Sequence, residues 1–174
     1  IYTSFYPIYD FTKRIVKDKF DVVSLVKYGE EPHDFEPTPR QIAGIQDSLC
    51  LFVNGLGLES FSESLPYGLS KKAHVVTKGI QTMSIDGIED PHVWLSIENA
   101  VKEMSNILEI ITNLDFSNRD YYQSNFDSEK EKFLSLDKTY KDTLSKVKNP
   151  YLAVSHAAFG YLAEEYGLKQ IYLT

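Results

Sequence analysis

Apolar residues along this chain fall into two alternating rhythms. Ile1 to Phe5 reads as a strand, and from Phe5 to Val16 the positions Ile8, Phe11, Ile15 and Val16 suit a helix with Pro7 in its first turn. Asp21 to Val26 reads as a second strand, followed by a loop from Lys27 to Pro37. Thr38, Pro39 and Gln41 then carry a capping-box start for a short helix ending near Asp47, because a Thr hydroxyl and a Gln side chain three residues on satisfy each other's backbone N–H groups. Leu49 to Val53 is a third strand. Asn54-Gly55-Leu56-Gly57 turns the chain into a short helix around Glu59 to Ser64, and His74 to Thr77 is a fourth strand.

The clearest helix follows. Ile97, Ala100, Val101, Met104, Ile107, Leu108 and Ile111 fall at spacings of three and four and form one continuous apolar face, which predicts packing against the sheet. Strands alternating with helices at this rhythm predict the α/β class, a doubly wound parallel sheet, because parallel neighbours need helical crossovers. After a break at Leu114 to Ser117, a polar helix is expected from Asn118 to Val147, opened by a Ser117 and Asp120 capping pair. At 1.5 Å per residue, 30 residues span roughly 45 Å, more than one small lobe covers. We read it as a beam between two lobes. Asn149-Pro150 ends it, Tyr151 to Ser155 starts a strand, Ala157 to Tyr166 a helix closed by Gly167, and Gln170 to Thr174 another strand. The expected organisation is an N-terminal α/β lobe over 1–117, a linking helix over 118–148, and over 149–174 the start of a second α/β lobe, incomplete at Thr174.

Composition narrows the classes. The 174 residues are 43% hydrophobic and 25% charged, as in globular proteins, and no apolar run approaches the roughly 18 to 20 residues of a spanning helix. With 18 Lys and Arg against 25 Asp and Glu, the net charge of -7 repels phosphate backbones, so nucleic acid is excluded as the expected partner. The lone Cys50, in the apolar run Leu49 to Val53, can form no intrachain disulfide and is expected to be buried. The sequence opens on Ile1 with neither an initiator Met nor a basic-then-apolar leader, as expected of a processed chain.

Four histidines remain. His33 sits in a proline-stiffened loop after the second strand, His92 just before the long apolar helix, and His156 between a strand and a helix. Each follows a rigid element near a helix N-terminus, the edge at which open α/β sheets place ligands. His74 enters a strand and carries no expected function. A single loop histidine is more often a hydrogen-bonding residue than a ligand, and the separations of 59 and 64 residues between the three match no local zinc signature, so local pattern alone does not resolve their role.

Glu31-Pro32-His33-Asp34-Phe35-Glu36-Pro37-Thr38-Pro39, Asn54-Gly55 with Glu59, Asp90-Pro91-His92-Val93-Trp94-Leu95 and Ser155-His156-Ala157-Ala158-Phe159-Gly160-Tyr161-Leu162 resemble, in order along the whole chain, the zinc-binding solute-binding lipoproteins of bacterial ABC importers. The resemblance implies a bilobal receptor whose lobes are joined by a long helix and hold one metal between them. It implies His33 and His92 as ligands from the first lobe and His156 from the second, with a carboxylate beyond Thr174 completing the set. Manganese receptors of the same family are similar but typically carry Glu where this chain has His156. Three imidazoles suit tetrahedral Zn²⁺, whereas Mn²⁺ prefers more oxygen. The loop Ile85 to Asp90 is short and without histidine where many zinc members have a long His-rich insertion, leaving only three carboxylates.

The implied function is capture of Zn²⁺ at an extracytoplasmic site, as a cell-surface lipoprotein or in the periplasm, and delivery to a membrane ABC permease. Asp34, Glu36, Glu59 and Asp90 are candidates, by proximity in sequence or motif, to orient the histidine rings. Three rival readings stay on the page: a manganese receptor of the same family, an adhesin at the cell surface, and a zinc hydrolase with an open three-histidine site. No separate catalytic base or oxyanion motif accompanies the histidines, so the chain is not expected to be an enzyme.

Overall fold

The computed structural model describes residues 1–85 and 87–172. Its centre is a four-stranded sheet of β1 (Tyr2–Thr3), β2 (Val23–Ser24), β3 (Leu51–Val53) and β4 (Ala73–Val75). The order is β2-β1-β3-β4, every pairing is parallel, and Tyr2 registers with both Val23 and Leu51. All four strands are shorter than expected from sequence. Single hydrogen bonds continue past them, Ser4 N–H to the Phe52 carbonyl and Val26 N–H to the Ser4 carbonyl, before the chain turns away into loops.

Two apolar layers cover the sheet, as a doubly wound architecture requires. Alternation along the central strand decides the partners: Cys50 and Phe52 face the larger cluster with Ile8, Phe11, Ile15, Met104, Ile107, Ile111 and Tyr122. Leu51 and Val53 face the other side with Leu25, Ile45, Phe61 and Leu69. The first layer comes from α1 (Tyr6–Val16), α5 (Ile97–Leu114) and α6 (Arg119–Leu144), and the second from α2 (Pro39–Asp47), α3 (Ser60–Glu63) and α4 (Tyr67–Ser70). Burial pushes the Cys50 thiol pKa up to about 12, in keeping with an inert core residue.

Local chemistry sets the helix ends. At α2 the Thr38 hydroxyl accepts from Gln41 N–H while the Gln41 side chain accepts from Thr38 N–H, the reciprocal pair read from sequence. Ser96 caps α5 by accepting from Asn99 N–H at 3.2 Å. The expected Ser117 and Asp120 cap on α6 is absent. Ser117 and Asn118 instead donate to Asp115 at 2.7 and 2.8 Å across a 3-10 turn, Phe116–Asn118, and the helix starts one residue later than expected.

The 26 residues of α6 give a rod of about 39 Å. Its first half packs on α1, where the Asn125 amide donates to the Ile15 carbonyl at 2.9 Å and Glu129 pairs with Arg14 at 2.7 Å. Its second half meets the end of α7 (Gly160–Glu165), where Tyr166 stacks on Tyr140 with ring centroids 5.2 Å apart and donates to Asp137. A parallel pair, β7 (Tyr151–Val154) and β8 (Lys169–Tyr172), flanks α7. This helix starts three residues later than expected, leaving Ala157 to Phe159 as loop. It closes at Gly167, whose φ of +68° is the left-handed conformation that glycine adopts without strain.

An unexpected hairpin, β5 (Ser84–Ile85) and β6 (Ile88–Glu89), precedes His92. Of the three carboxylates expected in that loop, Asp86 lies outside the described residues, as do Leu173 and Thr174 at the end of the last expected strand. Among the described residues no helix is long and apolar enough to cross a membrane.

Candidate metal centre

The loops that leave the C-terminal ends of β2, β4 and β7 converge, and each brings one histidine. His33 Nε2 lies 3.2 Å from His92 Nε2, and His156 Nε2 lies 3.1 Å from the same atom. The three nitrogens all fall within 4.8 Å of one another. Four ligands at 2.0–2.1 Å around a tetrahedral zinc stand about 3.3 Å apart, so these separations match the edges of such a polyhedron. His74 takes no part: it sits on the edge strand β4 with its ring 6.1 Å from that of Phe52.

His92 is the floor of the cluster, 7% exposed, while His33 is half-buried and His156 exposed. Asp90, itself buried, fixes the floor: its Oδ1 accepts from His92 Nδ1 at 2.6 Å and from His92 N–H at 3.0 Å. With Nδ1 donating to a carboxylate, neutral His92 must present a bare lone pair at Nε2. One lone pair accepts one N–H, yet two other Nε2 atoms point at it. Three such nitrogens meeting at one point are arranged for a shared cation. Burial, and then the neighbouring His92 ring, hold the pKa of His33 below the ordinary 6.5, which favours the neutral form a metal requires.

The other carboxylates expected to orient the rings do something else. Asp34 and Glu36 are exposed and make no hydrogen bond to a histidine among the described residues. Glu59 is buried and accepts from Asn54 N–H at 2.7 Å and Gly55 N–H at 2.9 Å. That holds the turn after β3, where Gly55 has φ +80° and a Cβ would stand 2.8 Å from Val75 Cγ1. The Asn54 amide in turn donates to the Pro91 carbonyl at 3.0 Å, so Glu59 supports the peptide ahead of His92 rather than the ring itself.

Two residues not anticipated from sequence hold the His156 side in place. Tyr161 accepts from Met83 N–H at 2.9 Å and donates to the Asp90 carbonyl at 2.7 Å. Glu165 accepts from Ile97 N–H at 3.0 Å, placing a carboxylate at the N-terminus of α5 where the helix dipole favours it. The signal for Tyr161 was present, five residues after His156 in one motif, but its partners are 71 and 78 residues away in sequence.

Comparisons with known proteins show what the chain is similar to. The family model described as zinc-uptake complex component A, periplasmic, matches residues 1–174. The high-affinity zinc uptake system protein ZnuA of Bacillus subtilis (strain 168) is 40% identical over 98% of this chain and 59% of its own length. Among solved structures, the metal-dependent lipoprotein YcdH of Bacillus subtilis superposes with a TM-score of 0.92 at 42% identity, over 99% of this chain and 66% of that one. The Zn(II)-bound ZnuA-like domain of Streptococcus pneumoniae AdcA gives 0.92 at 35%, over 99% of this chain and 65% of that one. The chain therefore spans about three-fifths to two-thirds of the length of these relatives.

Proposed function

The chain belongs to the family of zinc-uptake complex component A proteins, and on that premise we propose that it captures Zn²⁺ outside the cytoplasm for delivery to a membrane ABC permease. The observation that carries this reading is the meeting of three imidazole Nε2 atoms at zinc-polyhedron spacing. His33, His92 and His156 are the ligands. Nitrogen-rich donors of borderline softness favour Zn²⁺, while Mn²⁺ seeks oxygen. The metal is cargo here and no reaction is assigned to it.

The lobe of 1–117 contributes His33 and His92, α6 (Arg119–Leu144), which ends three residues before the expected Val147, links it to the unit beginning at 149, and that unit contributes His156. A cation held by both sides stabilises their approach by its difference in affinity between apposed and separated arrangements. Binding therefore changes the surface that a permease meets.

Competition titration of this chain with Zn²⁺ and Mn²⁺ against a chromogenic chelator tests the reading. One tight zinc per chain with much weaker manganese is the expected result. Four-ligand zinc sites are worth about 10–16 kcal/mol, so His33→Ala, His92→Ala and His156→Ala each weaken binding by on the order of 100-fold, and His74→Ala leaves it unchanged. Equal losses at all four histidines, or no zinc bound by the wild-type chain, would overturn the assignment.

A further inference from the structure

Gly160 opens α7, four residues after His156. Its φ lies outside the left-handed region, so the backbone there would accept a residue with a side chain, and alanine is the better helix former. What excludes a side chain is space. A Cβ at Gly160 would stand 3.2 Å from Asp90 Oδ2 and 3.7 Å from Met83 Cε. That oxygen is buried without a hydrogen-bond partner among the described residues, and it belongs to the carboxylate whose Oδ1 orients His92. Neither side of the contact yields freely. Asp90 is pinned by its N–H to the Met83 carbonyl at 2.9 Å, by its carbonyl to the Tyr161 hydroxyl, and by Oδ1 to two N–H groups of His92. Gly160 follows a segment tied back to His156: Ala158 N–H donates to the His156 carbonyl at 2.8 Å, and Phe159 N–H to the Gln170 side-chain oxygen at 2.6 Å.

We propose that Gly160 is a positioning residue for metal capture, its missing side chain letting the segment that carries His156 seat against the carboxylate that orients His92. This deepens the zinc reading above and rests on it. A methyl group at position 160 must displace one partner by a few tenths of an ångström, because a close-packed contact holds no slack. If α7 gives way, His156 leaves its place beside His92. If the carboxylate turns instead, the two bonds that fix His92 loosen. Either movement disturbs a ligand, so the substitution is felt at the metal although glycine offers no ligand atom of its own.

The experiment measures Zn²⁺ affinity by chelator competition and the d–d absorption of bound Co²⁺ for the wild-type chain, Gly160→Ala, Asp90→Ala, the double variant carrying both, Gly68→Ala and His156→Ala. Gly68, on α4, has open space where a Cβ would lie and controls for the added methyl group. Gly160→Ala should lose about tenfold in zinc affinity and shift the Co²⁺ band, with Gly68→Ala like wild type. Once Asp90 is replaced the methyl group has room, so Gly160→Ala should cost less than about twofold more in that background. A general loss of stability would instead carry through to the double variant. Losses that add across the two sites, or an unchanged affinity and Co²⁺ spectrum in Gly160→Ala, overturn the proposal while His156→Ala still reports the histidine site. If Gly160→Ala alone does not fold, the double variant decides: folding with the affinity of Asp90→Ala supports the contact, and failure to fold overturns it. A wild-type chain that binds neither metal overturns the zinc reading and this proposal together.

Discussion

Asp90 grips His92 twice through one oxygen, taking the ring Nδ1–H at 2.6 Å and the backbone N–H at 3.0 Å. The two bonds fix both the orientation of the ring and the nitrogen that keeps its proton, so the free lone pair points at His33 and His156. The same residue's backbone carbonyl receives the Tyr161 hydroxyl, which joins the floor of the site to the element carrying the third histidine.

Asp90→Ala frees that ring. The variant keeps all three histidines, but His92 can rotate and can move its proton to Nε2, the ligating atom. Loss of such a partner weakens metal binding by about 10–100-fold. Isothermal or chelator-competition titration checks this, with stoichiometry still one; an unchanged affinity would mean that packing alone orients the ring.

Zinc affinity depends on pH with a sign set by the imidazoles. Only the neutral ring binds metal, and burial with the His92 neighbour lowers the pKa of His33 below 6.5. His33 therefore stays neutral, and available to the metal, below the ordinary imidazole value, and its contribution to affinity is lost as pH falls further. Stability of the metal-free chain follows the same direction. The unfolded chain protonates His33 at about pH 6.5 while the folded chain resists, so stability rises with pH across that window and is lost below it. Titrations at several pH values, with His33→Ala giving a shallower dependence, test the assignment.

Tyr161 is the polar rivet between the hairpin, the Asp90 peptide and α7. Tyr161→Phe preserves the ring but strands Met83 N–H and the Asp90 carbonyl, at a cost of about 1–3 kcal/mol. Urea denaturation should show that loss, and zinc affinity should fall as well, since His156 lies five residues upstream in the same segment. Tyr166→Phe, which removes only the bond to Asp137, should leave zinc affinity alone. Equal effects of the two substitutions on zinc would remove the special role given to Tyr161.

Much of this was legible from sequence because its signals are local. The α2 capping box is three residues long, the apolar face of α5 recurs every turn, and each histidine sits in a motif of its own. What escaped depends on distant partners or on elements too short to show a period. Each strand of the β5–β6 hairpin is two residues long, and only the Asp86-Gly87 dipeptide, a hairpin-turn signal, announced it. Glu59 stood in the right motif, but its partners are backbone groups, which no side-chain pattern reveals. Strand ends were overestimated because Ser4 and Val26 are apolar-flanked and buried without belonging to a ladder.

Glu103 offers a test of the core independent of metal. It lies on α5, fully buried, and neither carboxyl oxygen has a hydrogen-bond partner among the described residues. Burial, then the proximity of Glu59, push its pKa well above the ordinary 4.5. The folded chain therefore retains a proton that the unfolded chain has released, and stability falls as pH rises from about 4.5 toward the raised value. Replacing the carboxyl with an apolar group of similar length removes both the unpaired polar atoms and the proton linkage. Glu103→Met should raise stability at neutral pH by about 1–3 kcal/mol and flatten the pH dependence, while zinc affinity stays at the wild-type value because Glu103 touches no histidine. Denaturation curves at pH 5 and pH 8 decide the matter: a variant that is less stable than wild type at both would show that Glu103 is held by partners, and that its charge, rather than its burial, is what the fold uses.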